Sequence, residues 1–428
     1  MRRKPRGLMT TVSPPDAPTA PAGLKTTPDA SPRALYVLLL VVFINLVGFG
    51  LVIPLLPFYA KSLNASPWQV TALFSAYSLG QFLAEPFWGR LSDRIGRRPV
   101  LIVTILANTL SYVALAFAPT IGMAFLVRLL SGFGGGNIST IQGYMADVTP
   151  PEKRAGRMGL LGSAFGMGFV VGPTLGGLLP GLAHLFGHSD TGRLAFQIPL
   201  LTAAALAAIA SLGVFLLVVE SRAPSHKDAP VIRRRDHLAA AAAHPVLSRV
   251  LLVTLVSTAA FAGMESVFGL WTQARFDWGP RQVGLCFAVI GVIASVGQGL
   301  ITGRLARRFG EAKVLTTGLA IIALSLALTP FVPTSAFVPL AVGCTAFGQS
   351  LVFPCVAALI SRATPPDKQG AMLGLNMAAG SLARMTGPMI AGPLFGLAIG
   401  GPYWLGAVLM LPAVAFALTI EHRVKAAA

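Results

Sequence analysis

The sequence predicts an all-α polytopic membrane protein with twelve transmembrane helices in two pseudo-symmetric six-helix bundles. The first observation is composition: the 428-residue chain is 54% hydrophobic and only 11% charged, whereas soluble domains carry about 25% charged residues. The second is length, because the apolar runs reach about 20 residues, which a helix needs to cross a hydrocarbon core about 30 Å thick. The third is an internal repeat that relates the two halves of the chain.

Polar residues between the apolar runs delimit the twelve spans. Their predicted bounds are 35–58, 68–88, 99–118, 121–144, 158–180, 197–219, 248–271, 282–302, 313–331, 335–359, 371–396 and 401–420. They form an N-terminal bundle, 35–219, and a C-terminal bundle, 248–420, joined by a charged cytoplasmic linker loop, 220–247. Residues 1–34 are rich in Pro, Ala and Thr, which predicts a disordered cytoplasmic tail. Residues 421–428 are expected to form a second cytoplasmic tail.

Lysine and arginine are distributed unevenly between alternate loops. Of the 33 in the chain, the odd-numbered loops hold only Lys61, Arg193, Arg275 and Arg281. This asymmetry follows the positive-inside rule, so both termini are predicted to be cytoplasmic and the number of spans even. The net charge of +18 therefore reflects topology, and nucleic-acid binding is not expected.

The repeat is visible in three pairs of segments. GRLSDRIGRRPVL at 89–101 returns as GRLARRFGEAKVL at 303–315, TPPEKRAGRMG at 149–159 returns as TPPDKQGAMLG at 364–374, and Gly172-Pro173 returns as Gly387-Pro388. Parallel repeats of six helices are typical of secondary transporters whose substrate site lies between the two halves.

The segment 89–99, GRLSDRIGRRP, resembles the signature loop of the major facilitator superfamily, and the resemblance covers residues 35–420. The residues that carry this gating motif are Gly89, Asp93, Arg94, Gly96, Arg97 and Arg98. The two glycines are expected to permit a tight turn between helices. The resemblance implies that the loop locks the halves together in the outward-facing state. It also implies that Asp147 pairs with Arg94, Arg97 or Arg98, the alternative being a solvated loop acid.

Span 5 contains GFVVGPTLGG at 168–177, which is similar to the antiporter signature of the drug:proton antiporter branch of this superfamily. The motif residues are Gly168, Gly172, Pro173, Gly176 and Gly177. Glycines spaced in this way make a groove for close approach of another helix. Ordinary small-residue packing is the alternative interpretation.

Three ionisable residues stand inside spans. Glu265 is the only acid deep within any of the twelve, and Arg128 and Arg384 are the two arginines. Ionisable residues in a membrane usually face a partner or a water-filled cavity, so a functional role is expected. Arg128 resembles the span-4 arginine of drug antiporters, although a structural bond to a carbonyl or Gln142 is an alternative. Glu265 and Arg128 are the predicted proton-coupling residues, and the partner of Glu265 is Arg128, Arg384 or water.

Further polar and aromatic residues lie at depths suited to a central substrate cavity. The predicted lining is Asn45, Tyr77, Phe261, Phe268, Gln298, Gln349, Asn376 and Arg384. Trp271 is a further candidate for an aromatic wall. Each aromatic residue taken alone is as compatible with lipid contact or core packing.

These features predict a transporter of the bacterial inner membrane that exports small, amphipathic, drug-like compounds by proton antiport through alternating access. A carboxyl in an apolar environment takes up a proton more readily than one in water, which suits Glu265 as the switch. The alternatives are a metabolite or lipid carrier on the same fold, and a membrane sensor that signals through 220–247. A monomer is expected, with protons, a small-molecule substrate and the lipid bilayer as its partners.

Several functions are not expected. No nucleophile–base pair or metal-ligand spacing occurs, so an enzyme, a metal site or a cofactor is not predicted. Cys286, Cys344 and Cys355 all fall in apolar runs and are expected to be reduced thiols. FINLVGFGLVIPLLP resembles span 1 of tetracycline exporters, yet Asn45 and Ser111 stand at the acidic positions of that group. Export of tetracycline–metal complexes is therefore not expected.

Overall fold

The computed structural model describes residues 32–149, 151–187, 192–221, 234–365 and 368–426, and the regular elements in these ranges are helices. They are α1 (Pro32–Ser62), α2 (Pro67–Ile95), α3 (Arg97–Ala116), α4 (Ile121–Gly135), α5 (Ile138–Asp147), α6 (Pro151–Leu178), α7 (Arg193–Leu217), α8 (Arg234–Ala243), α9 (Pro245–Phe276), α10 (Pro280–Val296), α11 (Gly303–Phe309), α12 (Glu311–Leu328), α13 (Val338–Arg362), α14 (Gln369–Leu397) and α15 (Gly401–Ala426). Short 3₁₀ turns cover Leu179–Phe186, Thr329–Phe331 and Ser335–Phe337, and a π-helical turn covers Gly297–Thr302.

Ten helical segments of the described chain are long and apolar enough to cross a membrane. Predicted spans 4 and 8 are each built from shorter pieces, α4 with α5 and α10 with α11. Predicted spans 2 and 11 correspond to α2 and α14, which have 29 residues each and reach about 43 Å at 1.5 Å per residue. They are not among the ten, and they pack against each other between the bundles, where polar residues are sheltered from lipid.

The helices form two bundles, α1–α7 and α9–α15. In the first bundle α1 packs on α6 and α7, and α3 packs on α4 and α7. In the second bundle α9 packs on α14 and α15, and α12 packs on α13 and α15. Two helix pairs, α2 with α14 and α6 with α10, make the main contacts between the bundles. This arrangement is the predicted helical fold of two six-helix halves.

Several element boundaries differ from the predicted ones. Helix α1 begins at Pro32, inside the segment predicted as a tail, and proline is well suited to the first turn of a helix. Helix α15 continues to Ala426, past the predicted end at 420, because its last residues are helix formers and include basic side chains that suit a helix C-terminus. The predicted linker contains α8, whereas residues 222–233 and 1–31 lie outside the described residues.

The signature segment is helical rather than a loop, contrary to the prediction. Helix α2 runs to Ile95 and α3 starts at Arg97, so Gly96 alone makes the turn, with φ of +103°. This left-handed conformation favours glycine. Gly89 instead lies inside α2 and faces Ser139 of α5. The repeat of this turn, between α11 and α12, has Gly310 at φ +84°.

The glycines of span 5 bring backbones together. A Cβ on Gly168 would lie 2.6 Å from Leu46 Cβ, and a Cβ on Gly172 would lie 2.7 Å from the Val47 carbonyl oxygen. Gly176 meets the backbone of Leu51 in the same way. Three helical turns of α6 therefore pack directly on the backbone of α1.

The two bundles are closed at one face and open at the other. We call the face that carries the Gly96 and Gly310 turns the motif face, and the opposite one the far face. Towards the far face, Gly177 of α6 touches Gly284 of α10, and a Cβ on Gly269 of α9 would lie 3.1 Å from Pro57 of α1. Lys61 of α1 also donates to Gln273 of α9 at 2.7 Å.

Towards the motif face the helices part. On α6 and α10 with the π-helical turn that follows it, a Cβ on Gly177 or Gly284 would lie within 3 Å of the other helix, whereas one on Gly159, Gly162 or Gly299 would have no described atom within 4 Å. On α14, a Cβ on Gly392 would overlap Thr71 of α2, whereas one on Gly370 or Gly374 would meet no described atom within 4 Å. The space between the bundles therefore opens towards the motif face.

Candidate transport cavity

Arg128 is held inside the N-terminal bundle. Its side chain, on α4, is almost fully buried, and its guanidinium carbon lies 4.4 Å from the ring centroid of Tyr77 on α2. Its Nε–H points to the Leu73 carbonyl oxygen at 3.4 Å. A cation this close to an aromatic face is stabilised by the ring quadrupole, more strongly when water is excluded. A carbonyl contact was one predicted alternative for Arg128, but the aromatic partner was not predicted.

The Tyr77 ring belongs to an aromatic group between three helices. Its centroid lies 5.1 Å from that of Phe49 on α1, and Phe49 lies 6.1 Å from Phe169 on α6. Asn45, one turn before Phe49, accepts a 3.4 Å bond from Asn108 of α3. The N-terminal bundle thus presents an aromatic group bordered by amides, a surface suited to amphipathic compounds.

Glu265 is the partly exposed point in a buried stretch of α9. The residues from Ser266 to Thr272 are all buried, whereas Glu265 itself is half-buried. Among the described residues its carboxylate has no hydrogen-bond or ion-pair partner, and neither of its oxygens is fully shielded. An acid in this position is open to water or to a ligand.

Arg384 is the cation within electrostatic range of Glu265. It lies on α14, where its Nη2 donates to Ser381 Oγ at 3.1 Å and its guanidinium points back towards Gly380. The neighbouring Met385 carbonyl accepts a 2.8 Å bond from Ser75 of α2. Arg384 therefore lies where the two bundles meet, within electrostatic range of Glu85 on α2 as well. Of the two arginines predicted as partners of Glu265, Arg384 lies within electrostatic range of it without forming an ion pair, and Arg128 faces the Tyr77 ring.

The other predicted lining residues differ in accessibility. Phe261 and Gln349 are half-buried, and Gln298 is exposed on the π-helical turn. Asn376 is buried and accepts a 2.7 Å bond from Thr254, which ties α14 to α9.

Phe268 and Trp271 do not line a cavity in this conformation. Phe268 is fully buried and packs edge-on against Phe287 with centroids 5.4 Å apart, while Trp271 packs on Tyr403 at 5.3 Å. Both lie on the part of α9 near the far face, where large rings fill the core of the C-terminal bundle.

The signature residues form a charge cluster within the N-terminal bundle. The almost fully buried Arg97 donates to Asp147 at 3.2 Å and to Ser92 at 2.6 Å, and its Nη2 lies 2.8 Å from Asp93. Of the three arginines considered for Asp147, Arg97 makes this bond. Arg98 instead donates to the Phe215 carbonyl of α7. These contacts join helices of one bundle while the motif face is open.

Sequence reasoning missed Glu220, Phe49 and Phe169. The Glu220 carboxylate accepts the backbone N–H groups of Arg97 at 2.8 Å and Arg98 at 3.1 Å, so it caps the start of α3 from the end of α7. Two arginines at a helix N-terminus, where the dipole favours acids, were a signal that an acid from elsewhere was needed. Phe49 and Phe169 offered no such signal, because each stands in a glycine-rich apolar run.

Two six-helix bundles that touch at one face and part towards the other, with charged groups at their junction, define a membrane transport protein of the alternating-access class. The Major Facilitator Superfamily family model matches residues 38–302 and 250–427. The chain belongs to this superfamily, as the signature segment predicted.

Curated relatives and a solved structure agree with that membership. The chain is 32% identical to the class C tetracycline resistance protein of Escherichia coli over 89% of this chain and 95% of the relative. It is 27% identical to multidrug resistance protein 2 of Bacillus subtilis over 92% and 96% of the two chains. The crystal structure of the human organic anion transporter MFSD10 (TETRAN) superposes with a TM-score of 0.67 at 25% identity, covering 90% of this chain and 99% of that one.

Proposed function

We propose that this protein exports small amphipathic compounds in exchange for protons, with Glu265 as the residue that binds the proton. The observation that carries the proposal is the position of Glu265, an accessible carboxylate with Arg384 in electrostatic range at the junction of the bundles. The tetracycline and multidrug resistance proteins among its relatives support drug export. The aromatic group around Tyr77 supplies a surface for apolar parts of a substrate.

The motif face is the cytoplasmic face in this proposal, because it carries most of the basic residues. The present conformation then opens the cavity to the cytoplasm. Glu265 loses its proton to water there, and the ionised carboxylate attracts a cationic or hydrogen-bonding substrate alongside Arg384. When the cavity turns to the far face, a proton taken up from outside neutralises Glu265 and weakens substrate binding, so the substrate leaves.

Replacement of Glu265 tests this proposal directly. Purified protein in liposomes, with an imposed proton gradient and ethidium as a small amphipathic cation, should move dye against its gradient. Glu265→Gln should abolish the gradient-driven movement, while Glu265→Asp, the matched control, should retain part of it because it keeps a carboxyl. Full gradient-driven transport by Glu265→Gln would disprove the assigned role.

The same liposomes test the proposed function as a whole. If wild-type protein moves no member of a broad panel of drug-like compounds, but exchanges a charged metabolite at a rate independent of pH, the carrier alternative replaces drug export.

A further inference from the structure

The signature segment and the acid that pairs with it occur twice in the chain, and the charges are exchanged between the two copies. At an offset of 214 residues Asp93 corresponds to Arg307 and Arg97 to Glu311, and at an offset of 215 Asp147 corresponds to Arg362. An acid–base–acid triad in the N-terminal bundle is therefore a base–acid–base triad in the C-terminal bundle. The turn glycines, Gly96 and Gly310, keep their left-handed conformation in both copies.

The exchanged charges make the corresponding contact. In the N-terminal bundle Arg97, the first residue of α3, binds Asp147 at the end of α5 at 3.2 Å. In the C-terminal bundle Glu311, the first residue of α12, binds Arg362 at the end of α13 at 2.7 Å. The Glu311 side chain is 16% exposed and that of Arg362 is 70% exposed, so the pair lies at the surface with its acid partly sheltered. Arg307 extends back towards Gly303.

Among the described residues, an acid from another segment is recruited at the first of these turns and not at the second, and the start of each helix explains why. Helix α12 begins with Glu311, which suits the positive end of its dipole. Helix α3 begins with Arg97 and Arg98, which do not, and Glu220 from the end of α7 accepts both of their backbone N–H groups. Glu220 and Glu311 thus serve the same helix position, one from a distant segment and one from the helix itself.

We propose that Glu311 and Arg362 are positioning residues of the transport cycle, forming the charge-inverted counterpart of the Arg97–Asp147 pair. The pair holds the end of α13 to the start of α12, so that α13, which carries Gln349 in the cavity region, moves with α12 as one body when the motif face opens and closes. The role in transport rests on the proposed function, whereas the coupling of the two helices does not.

Charge reversal within the pair is the test. Arg362→Glu or Glu311→Arg places like charges in the position of the 2.7 Å contact, and each should lower the rate of ethidium export about two- to fivefold, the scale of one lost surface ion pair. The double variant Glu311→Arg with Arg362→Glu should recover most of the rate. A cavity of about 330 Å³ beside Gly310, Glu311 and Arg362 gives the longer arginine room at position 311.

The double variant should not recover fully, because it places an arginine at the start of α12 without the acid that Glu220 supplies to α3. The maximal rate should change while KM stays constant, since the pair lies outside the cavity. Arg308→Glu is the matched control, because Arg308 is exposed at the end of α11, three residues before Glu311, and lies over the Phe309 ring. It should transport like wild type.

Thermal unfolding of purified wild type and the four variants separates this inference from the proposed function. A double-mutant cycle in the midpoint of unfolding should show that the two single reversals are each less stable than the double reversal. Single reversals as active and as stable as Arg308→Glu, or a double reversal no better than the worse single one, would overturn the inference. If wild type exports no ethidium, that result counts against the proposed function, and the unfolding cycle still decides whether this pair couples α12 to α13.

Discussion

Gly172 offers the sharpest test of how the N-terminal bundle is held together. A Cβ on this residue would lie 2.7 Å from the Val47 carbonyl oxygen and 2.9 Å from the Gly50 Cα, well inside the 3.4 Å at which ordinary contact begins. Both atoms are backbone, so no side-chain rotation relieves the overlap and α1 must move away from α6. Overpacking of this kind costs about 1–3 kcal/mol.

Gly162 is the matched control for Gly172→Ala. It lies on the same helix, and a Cβ there would meet no described atom within 4 Å. Both substitutions gain about 1 kcal/mol of helix propensity, so the difference between the two variants isolates the overlap. The difference should be about 1–3 kcal/mol, or about 1–3 °C in the midpoint of thermal unfolding.

The assay is thermal unfolding of purified protein in detergent, followed with a thiol-reactive dye that labels the buried Cys286 and Cys355 as they become exposed. Gly172→Ala should unfold at a lower temperature than wild type, and Gly162→Ala at the same or a slightly higher temperature. Equal midpoints for the two alanine variants would refute direct backbone contact between α1 and α6 at Gly172.

Further expectations concern the cavity. Tyr77→Leu removes the ring that lies 4.4 Å from Arg128 and should lower the export rate by a factor that corresponds to about 0.5–2 kcal/mol. Tyr77→Phe keeps the ring and should export nearly as well as wild type. Equal loss in both variants would show that the hydroxyl and not the ring matters. Asn376→Leu leaves the Thr254 hydroxyl without its 2.7 Å acceptor and should destabilise the protein by about 1–3 kcal/mol, with the isolated Thr254→Val variant losing less in the same unfolding assay. Export should be unchanged by EDTA. Asn45 and Ser111 stand at positions where tetracycline exporters carry acids that could bind a metal-complexed substrate, and they are hydrogen-bonded to Asn108 and to the Ala107 carbonyl. Inhibition by EDTA that Mg²⁺ reverses would contradict this.

The fold was predictable because its signals are local or periodic. Span length, the uneven distribution of Lys61, Arg193 and the other basic residues, and the repeat each act over the whole chain, so no single error in a boundary changes the result. The boundaries themselves were less accurate. The charges of the signature segment suggest a loop, yet α2 carries them as a continuous helix as far as Ile95, and only Gly96 separates it from α3.

The site was predicted as a set of residues but not as a set of contacts. Glu265, Arg128 and Arg384 stand out in the sequence because a charge in an apolar run is expensive. Depth along a helix does not say which side of it a residue faces, and depth alone suggested Arg128 as a partner for Glu265. In the structure Arg128 faces Tyr77 inside the N-terminal bundle, and Arg384 lies at the junction of the two bundles. The prediction that Phe268 lines the cavity is wrong for the same reason, because its position around α9 and the closure at the far face bury it.

The contact between α6 and α10 shows how the open motif face should close. Gly177 meets Gly284, Val170 meets Gly291, and Gly166 lies opposite Ser295. The residue numbers fall by seven and then four along α6 and rise by the same amounts along α10, as expected for two antiparallel helices in contact. The next pair in this register is Gly162 with Gly299. A Cβ on either residue would meet no described atom within 4 Å, because the helices part at the level where the π-helical turn Gly297–Thr302 begins.

Both members of that next pair are glycines, which allow two helices to touch where larger residues would hold them apart. We therefore expect Gly162 and Gly299 to meet when the motif face closes. In a background without the three native cysteines, the pair Gly162→Cys and Gly299→Cys should form a disulfide only as the protein cycles with substrate and a proton gradient. The control pair Gly166→Cys and Ser295→Cys should form one in either condition, since a Cβ on Gly166 already lies 3.0 Å from Ser295 Oγ. Equal cross-linking of the two pairs in resting protein, or no cross-linking of the first pair during turnover, would show that α6 and α10 do not close along this register.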